Sequence, residues 1–414
     1  MSSSSARSET ATAIEYLRTP LAIRARCENI FQAARADKLQ HFAIDMSKLD
    51  AAADRVVEVT KKAYPTLAIP VHGRMNHFRV GGVDRVGELN AILAALPSPA
   101  RTRAWIDLIM VSVLLDAGAG DAWRFNEASS GQSIGRSEGL AVASLHAFKA
   151  GLFSSDPAQP LRVDAEALKN LDPQRLADAF QVSDKNPLAG RDGRIELVRQ
   201  LGHAVLASPE IFPGGRPGGL LDYLHDRADG TRLAAPQILA ALLRGLGSIW
   251  PGRVTLGGVN LGDVWRHPAA GGTGETEGLV PFHKLSQWLS YSLFEPLELD
   301  GLVVEQAGAL TGLPEYRNGG LFFDMGVLVA KHDGVTRDAH KPGDELIVEW
   351  RALTVALLDR IADPVRKKLG KAPEDLPLAK VIEGGTWATG RVLAAELRPG
   401  GGSPIQLVSD GTVF

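Results

Sequence analysis

The stretch PFHKLSQWLSYSLFEP, residues Pro281–Pro296, has the spacing of an amphipathic helix. Polar and aromatic side chains at three- and four-residue intervals share one stripe: Lys284, Trp288, Tyr291 and Glu295. Apolar side chains share the neighbouring stripe: Phe282, Leu285, Leu289 and Leu293. We expect the polar stripe either to line a pocket or to place Lys284 at a helix surface beside a carboxylate.

Helical spacing recurs along most of the chain. Two or three helices are expected between Thr10 and Lys62, and a buried helix is expected from Pro99 to Leu115. Another helix should open near Glu349 and run to about Leu369, broken or kinked at Pro364. Short β-branched runs predict a few strands: Leu302–Glu305, Leu346–Val348 and Ile405–Val408. The fold class predicted is mainly α-helical with a few short strands.

The length of 414 residues exceeds the roughly 250–300 residues at which single cores stop growing. Residues 1–12 have no apolar segment and are expected to form a disordered leader. Residues 13–414 are expected to form a single helical catalytic unit, either around one core or as two lobes of about 13–250 and 251–414.

Composition excludes several classes of protein. A net charge of −3 argues against a duplex nucleic-acid partner. Cys27 is the only cysteine, which rules out an intramolecular disulfide and a cysteine zinc cage. The longest apolar run, 105–115, is about half the ~20 residues of a membrane span. We expect a cytoplasmic protein with a small-molecule substrate and no membrane or nucleic-acid partner. Whether copies associate stays open.

The segment Gly312–Gly320 combines an acid, a phenol, a guanidinium and an amide between glycines: Glu315, Tyr316, Arg317 and Asn318. Glycines allow a backbone to approach a ligand closely, so this segment resembles a binding loop. Asp324 follows in an apolar setting, where an ionised carboxylate needs a partner. Glu315 and Asp324 could thus form a catalytic pair. Alternatively, Asp324 caps a helix and Glu315 is bonded to Arg317 or another base.

Three further segments contain residues that could take part in function. His72, Arg74 and His77 lie within six residues and suit either a phosphate contact or a hydrogen-bonded structural loop, while their spacing is a weak metal signal. Glu349 near a helix start also suits the helix dipole. The repeated G-x-S-x-G at residues 131–139 lacks a recognisable preceding strand, which argues against a serine-hydrolase elbow.

The ordered blocks LGDVWRHP, LTGLPEYRNGGL, EWRALTVALLD, GGTWATGR and the closing SDGTVF resemble the uracil catabolism protein 4 family. The resemblance runs from about Ile14 to Phe414. It implies a role in degrading uracil after conversion to a ribosyl 5-phosphate and ring opening, with urea eventually released.

A more distant resemblance links the chain to the queuosine 5′-phosphate N-glycosylase, or queuosine salvage, family. That likeness implies a helical core related to DNA glycosylases. Its lysine, Asp-Tyr-Arg and Glu-Ile-Arg motifs fall here on these residues: His283, Lys284, Gln287, Glu315, Tyr316, Arg317, Glu349 and Arg351. Asp116 and Trp123 match residues beside its base pocket. Glu replaces Asp at position 315, and Asn318 stands in a segment that departs from the salvage motif.

Together the resemblances imply an N-glycosidase-type hydrolase that splits a ribosylurea 5-phosphate-like compound into urea, or a ureido compound, and ribose 5-phosphate. Glu315 would be the catalytic carboxylate and Asp324 the proton donor. Lys284 and Arg317, with His72 or Arg74, would hold the phosphate. No cofactor and no metal are implied. The alternatives are an amidohydrolase acting on a ureido intermediate and a non-catalytic nucleotide-binding protein.

Overall fold

A computed structural model describes residues 2–116, 119–120, 122–251 and 253–408 of the chain. The closing SDGTVF motif lies outside these described residues. The described part is mainly helical with a few short strands, which confirms the predicted class.

The helices are listed here in chain order: α1 Ser2–Leu17, α2 Pro20–Arg35, α3 Leu49–Ala63, α4 Arg74–Phe78, α5 Arg85–Leu93, α6 Ser98–Leu114, α7 Arg136–Lys149, α8 Ala165–Lys169, α9 Pro173–Ala179, α10 Arg191–Ala207, α11 Leu220–His225, α12 Ala235–Gly245, α13 Lys284–Ser292, α14 Phe294–Leu299, α15 Tyr316–Asp324, α16 Gly334–Arg337, α17 Glu345–Leu369, α18 Leu378–Val381 and α19 Trp387–Leu397. A π-helical turn, Ile382–Thr386, joins α18 directly to α19.

The strands pair two by two. They are β1 Phe42–Ile44, β2 Arg124–Glu127, β3 Gln132–Gly135, β4 Arg232–Ala234, β5 Thr255–Leu256, β6 Val259–Asn260, β7 Val264–Arg266, β8 Leu279–Pro281, β9 Val303–Glu305, β10 Leu328–Ala330, β11 Ala339–His340 and β12 Gln406–Leu407. The antiparallel pairs are β1 with β10, β2 with β3, β5 with β6 and β7 with β8, whereas β4 with β9 and β11 with β12 are parallel.

The described residues divide into two compact units that alternate along the chain. Residues 2–72, 253–287 and 306–408 form the first unit, and residues 73–251 and 288–305 form the second. The chain passes between them at three further places after His72, one of which is within α13. One passage falls near residue 251, where the sequence analysis placed a lobe boundary, but the units are interleaved along the chain.

The first unit is organised around α17, a helix of 25 residues that is buried along most of its length. It packs against α2, α3 and α15, and α15 packs in turn against α19. A smaller apolar cluster joins α1 to the β7–β8 hairpin through five buried residues: Ile14, Leu17, Leu261, Val264 and Leu279. Burying these apolar faces is the main stabilising contribution to this unit.

The second unit packs α6 against α7 and α11, and α10 against α8. Helix α6 is buried from Ala104 to Leu114, as its apolar sequence predicts. Asp107 inside it is fully buried and accepts the backbone N–H groups of Val163 and Gly218, at 3.0 and 2.6 Å. Its ion pair with Arg216 completes a buried network that fixes two loops against the helix.

Three local expectations differ from the structure. The predicted strand Leu346–Val348 is wrong, because these residues lie in the first turns of α17 and are buried there as a helix face. Helix α1 begins at Ser2, where a leader was expected up to residue 12. Strands β2 and β3 also form a hairpin around the first G-x-S-x-G, so the absence of a strand there was wrongly inferred.

Among the described residues, the structure contains no helix with both the length and the apolar character needed to cross a bilayer.

Candidate functional site

Glu315 lies at the amino end of α15 in the first unit. Its backbone is extended, and both carboxylate oxygens accept backbone N–H groups of the helix. The Arg317 N–H donates to Oε2 at 2.9 Å, and the Asn318 N–H donates to Oε1 at 2.5 Å. Glu315 therefore caps α15, and it does so through backbone amides, not through the guanidinium that the sequence analysis considered.

The Glu315 carboxyl is almost enclosed, with 8% of the residue exposed. Burial raises its pKa above the ordinary value, while the two backbone N–H groups and the positive charges of Lys284 and His72 act in the opposite direction. The structure thus brings Lys284 and His72 within electrostatic reach of Glu315. These three residues form the centre of the candidate site.

His72 is held by an acid that the sequence analysis did not single out. Its Nδ1 lies 2.5 Å from Oε2 of Glu383, so the imidazole N–H donates to the carboxylate. The other carboxylate oxygen faces the Tyr64 hydroxyl at 3.5 Å, and burial together with Glu383 raises the pKa of Tyr64 to about 12. The ring centroids of His72 and Trp387 are 5.7 Å apart. This imidazole is therefore fixed in orientation by its neighbours.

Glu383 belongs to the π-helical turn Ile382–Thr386, a type of turn that often occurs at functional sites. The Thr386 hydroxyl from the same turn donates to Oδ1 of Asn318 at 2.8 Å. Asn318 is fully buried and donates through Nδ2 to the Leu313 carbonyl at 3.1 Å. Asn318 thus ties the turn that carries Glu383 to the helix that Glu315 caps.

Lys284 is positioned by a buried ion pair. Its backbone N–H donates to Oδ2 of Asp263 at 3.0 Å, at the start of α13. Both oxygens of Asp263 also accept the Arg351 guanidinium, each at 2.8 Å. Burial alone would raise the pKa of Asp263, but Arg351, with the Trp265 N–H and Lys284 N–H, holds it well below its usual range. Arg351 therefore supports the site through Asp263.

Gln287 and His283 have internal partners. The Gln287 amide is fully buried, donating to Thr311 Oγ1 at 2.6 Å and accepting the Thr311 N–H at 2.9 Å. His283 is 2% exposed, its Nε2 lies 3.0 Å from the Leu17 carbonyl, and burial lowers its pKa. Both side chains fix the start of α13 to neighbouring segments, a packing role where the sequence analysis predicted substrate contacts.

Arg317 is buried on α15, where its Nη1 donates to the Gly401 carbonyl at 2.8 Å. Its guanidinium carbon lies 4.7 Å from the ring centre of Tyr316, which is partly exposed. The guanidinium of Arg317 therefore lies against the C-terminal segment of the first unit, at Gly401.

Asp324 does not share a site with Glu315. It is the last residue of α15 and Glu315 is the cap before the first, so a rise of 1.5 Å per residue separates their backbones by about 13 Å. The Asp324 carboxylate accepts hydrogen bonds from Nη1 and Nη2 of Arg398, each at 2.7 Å. The expected carboxylate pair is therefore not formed, because a helix that one acid caps keeps the other at its opposite end.

Gly319 of α15 and Gly390 of α19 serve helix packing. A Cβ on Gly319 would lie 2.6 Å from the indole nitrogen of Trp350 and 2.8 Å from the Thr354 hydroxyl of α17. A Cβ on Gly390 of α19 would overlap the Arg317 carbonyl. These two positions let α15 approach α17 and α19 closely, so at Gly319 the close neighbour is a helix, where the sequence analysis expected a ligand.

Glu349 lies one turn further into its helix than expected, because α17 begins at Glu345. The Glu349 side chain is buried. It accepts the His41 backbone N–H at 3.3 Å, and Nε2 of His267 lies 3.4 Å from its Oε1. The helix dipole is therefore a weaker explanation for this acid than its histidine neighbours are.

The second unit holds the other predicted residues in a buried network of its own. Arg74 is fully buried and forms an ion pair with Asp116 at 2.6 Å. The same guanidinium lies 3.0 Å from Nδ1 of His77 and donates to the Ser137 and Ser112 carbonyls. Burial would raise the pKa of Asp116, but Arg74 and its neighbours hold it below its usual value. With no exposed surface, Arg74 is not placed to hold a phosphate.

Trp123 is also enclosed within the second unit. Its indole N–H donates to the Phe180 carbonyl at 2.9 Å, and the two rings stack with centroids 6.3 Å apart. The side chain has no exposed surface. Trp123 therefore packs in the interior of the unit, where the resemblance implied a place beside a base.

Comparison with known proteins agrees with the motif resemblance. The family model described as "Protein of unknown function (DUF1688)" matches residues 16–414. "Protein urg3" of Schizosaccharomyces pombe is 41% identical over 402 residues, which cover 95% of this chain and 96% of that protein. "Uracil catabolism protein 4" of Lachancea kluyveri is 39% identical over 436 residues, covering 97% and 99%. The chain belongs to the DUF1688 family. The expected membership in the uracil catabolism protein 4 family is confirmed.

Sequence reasoning in this DUF1688 family member missed Glu383 and Asp263, the two acids that orient His72 and Lys284. Asp263 lies in the block LGDVWRHP and Glu383 directly precedes the block GGTWATGR, and no site residue was predicted in either block. Two consecutive glycines at 384–385 inside a helical segment were the available signal for the π turn. No comparable local signal marks Asp263, whose partner Arg351 is 88 residues away.

Proposed function

We propose that this protein hydrolyses the ribosyl C–N bond of a ribosylurea 5-phosphate-like compound, releasing urea, or a ureido compound, and ribose 5-phosphate. The observation that carries the proposal is the enclosed Glu315 carboxylate, with Lys284 and His72 within electrostatic reach of it. The name of the relative "Uracil catabolism protein 4" supports a role in uracil degradation. The distant resemblance to the queuosine salvage family supports both the bond type and a DNA-glycosylase-like helical core.

Glu315 supplies the negative charge that such a reaction needs. Positive charge develops on the sugar ring as the C–N bond breaks, and a fixed carboxylate stabilises it. Two backbone N–H bonds hold this carboxylate in place before substrate arrives. Its raised pKa also makes it a stronger base than a solvated glutamate, which suits removal of a proton from the attacking water.

His72 replaces Asp324 as the proton donor in this scheme. Ureido nitrogen is a weak leaving group and needs a proton as it departs. An imidazole whose Nδ1–H is bonded to Glu383 can carry a second proton on Nε2 and pass it to the leaving nitrogen. Water oxygen then bonds to the anomeric carbon, the C–N electron pair moves to nitrogen, His72 gives its proton to that nitrogen and Glu315 takes one from the water.

Lys284 is the group we assign to the 5-phosphate. An ammonium attracts the phosphate dianion, and its charge acts on Glu315 in the same site. The bond from its backbone N–H to Asp263 fixes where the side chain starts. A Lys284→Gln variant should raise KM for the phosphorylated substrate more than for the unphosphorylated ribosylurea.

The test uses the full-length protein with three compounds: ribosylurea 5-phosphate, ribosylurea and an acylated ureido compound. We expect urea and ribose 5-phosphate in equal amounts from the first compound, detected by mass spectrometry. Turnover of the acylated compound alone would overturn the glycosidase and favour an amidohydrolase. Tight binding without turnover, unchanged in Glu315→Gln, would favour a non-catalytic nucleotide-binding protein.

A further inference from the structure

Three potential metal ligands converge in the first unit, apart from the site around Glu315. One ligand atom from each of His41, Glu345 and Glu349 lies within 4.8 Å of the other two. Atoms that each lie about 2.0–2.2 Å from one ion are closer to each other than 4.8 Å. Small side-chain rotations would bring the three ligand atoms to those distances. His41 and Glu345 are partly exposed and can make them.

The backbone places these ligands with little freedom. Glu345 and Glu349 are one turn apart on α17, so their side chains share a helix face. His41 directly precedes β1, and its carbonyl accepts the Lys331 N–H at 2.9 Å. The His41 N–H donates to Glu349 at 3.3 Å. The helix face and the strand end are therefore locked against each other.

Two more histidines occupy outer positions around the three ligands. Nε2 of His332 lies 2.9 Å from Nδ1 of His41, and Nε2 of His267 lies 3.4 Å from Glu349 Oε1. Metal-binding histidines and carboxylates usually have hydrogen-bond partners of this kind, which set the tautomer and orientation of each ligand. The contact with His332 uses Nδ1 of His41, so when that nitrogen donates its proton to His332, Nε2 is the ring nitrogen whose lone pair can bind an ion.

The charges of the group also call for a cation. The Glu349 carboxylate is buried, and burying an ionised carboxylate is costly unless a positive charge is near. Within the described residues, its ion-pair partner is His267, and the Glu345 side chain has neither a hydrogen bond nor an ion pair. Two carboxylates one turn apart repel each other unless a cation lies between them.

A cavity of about 670 Å³ adjoins the group. His41 and Glu345 line it, and the wall also contains His340 and Asp338. Three protein ligands beside an open cavity are the arrangement in which an ion keeps a coordination position for water or substrate.

We propose that His41, Glu345 and Glu349 bind a divalent transition metal ion, of which Zn²⁺ is the probe. An imidazole with two carboxylates favours Zn²⁺ over Mg²⁺, because Mg²⁺ prefers oxygen ligands in a strict octahedron. This site lies beyond the proposed glycosidase reaction and does not depend on it.

The experiment measures metal content directly. Full-length protein is treated with a chelator, titrated with Zn²⁺ or Mg²⁺ by calorimetry, and analysed for bound metal by mass spectrometry. We expect one Zn²⁺ per chain and much weaker Mg²⁺ binding. Glu345→Gln should weaken Zn²⁺ binding by at least about 100-fold, since loss of an outer-shell partner alone costs about 10–100-fold.

Asp338→Asn is the matched control, because it removes the same charge from the wall of the same cavity without touching the three ligands. It should leave Zn²⁺ affinity nearly unchanged. His41→Ala tests the nitrogen ligand, with circular dichroism to show that each variant is folded. Substoichiometric zinc in the folded wild type, or equal losses in Glu345→Gln and Asp338→Asn, would overturn the proposal.

Discussion

Two substitutions at Glu315 separate its role in the helix cap from the catalytic role proposed for it. Glu315→Gln keeps the length of the side chain and removes its charge. Glu315→Asp keeps the charge and shortens the side chain by one methylene group. Asp is also among the best residues for capping a helix, so the second change preserves the cap of α15. The two variants should therefore differ more in activity than in stability.

The expected change in the free energy of unfolding is small for Gln. The two carboxylate oxygens accept two hydrogen bonds, from the backbone N–H groups of Arg317 and Asn318, and the single amide oxygen of Gln can replace only part of this cap. Losing a helix cap costs about 1 kcal/mol. Against this, a neutral amide avoids the burial cost that raises the pKa of the acid. We expect a net loss below about 1 kcal/mol, measured by denaturant unfolding.

The expected change in rate is large for both variants. Removing a general base typically lowers the rate by about 10²–10⁴-fold, which is the fall we expect in kcat for Gln. In the Glu315→Asp variant the carboxylate lies closer to the backbone by about one C–C bond, ~1.5 Å. A misplacement of about 1 Å can cost about 10²-fold, so Asp should also be slow although it is charged.

Urea release from ribosylurea 5-phosphate is the assay, run beside an unfolding curve for each protein. If Gln turned over substrate close to the wild-type rate while remaining folded, Glu315 would not be the catalytic carboxylate. If both variants unfolded in buffer, a loss of activity would report the loss of the helix cap. The control is the stability of Glu315→Asp, which should nearly equal that of the wild type, so that its loss of activity reports the displaced carboxylate.

Further predictions concern the acids around the site and the pH dependence. Asp263→Asn leaves Arg351 buried without its partner, so we expect a loss of about 3–5 kcal/mol in denaturant unfolding, against under about 1 kcal/mol for the exposed Asp54→Asn. Asp324→Asn should retain the wild-type kcat. A folded but inactive Asp324→Asn variant would show that Asp324 is the second catalytic acid after all. Because the pKa of Glu315 is raised, kcat/KM should fall on acidification at a pH above 4.5, and its contribution to stability should be present at low pH and decline as pH rises through the raised value. A profile flat to pH 4.5 would contradict the first part.

Periodicity was sufficient for the helical class and for the longest elements. Helix α17 ends at Leu369 as predicted, and α6 is buried as its unbroken apolar sequence indicates. The run Leu346–Val348 was assigned to a strand for its β-branched residues, but three apolar residues fit either period. The run is helical because its side chains are buried as part of one face of α17, and three residues are too few for their sequence to indicate that burial.

The candidate site was predicted in part. Lys284 and His72 do lie within electrostatic reach of Glu315, although 31 and 243 positions separate them from it in the chain. The pairing of Glu315 with Asp324 failed because residues 312–320 were expected to form a binding loop that would let the two acids meet. Once the segment forms α15, its geometry separates them, and the acid that approaches from elsewhere is Glu383.

The π turn Ile382–Thr386 has a consequence for how this family can vary. Each residue added to or removed from a helix rotates everything beyond it by about 100°, since 3.6 residues complete a turn. Deleting one residue here, such as Gly384, would convert residues 378–397 into an ordinary α-helix. With Trp387 and α19 held in place, Glu383 would swing to another side and release the imidazole that it orients. Relatives that retain the chemistry should therefore tolerate substitutions in this turn far better than changes in its length.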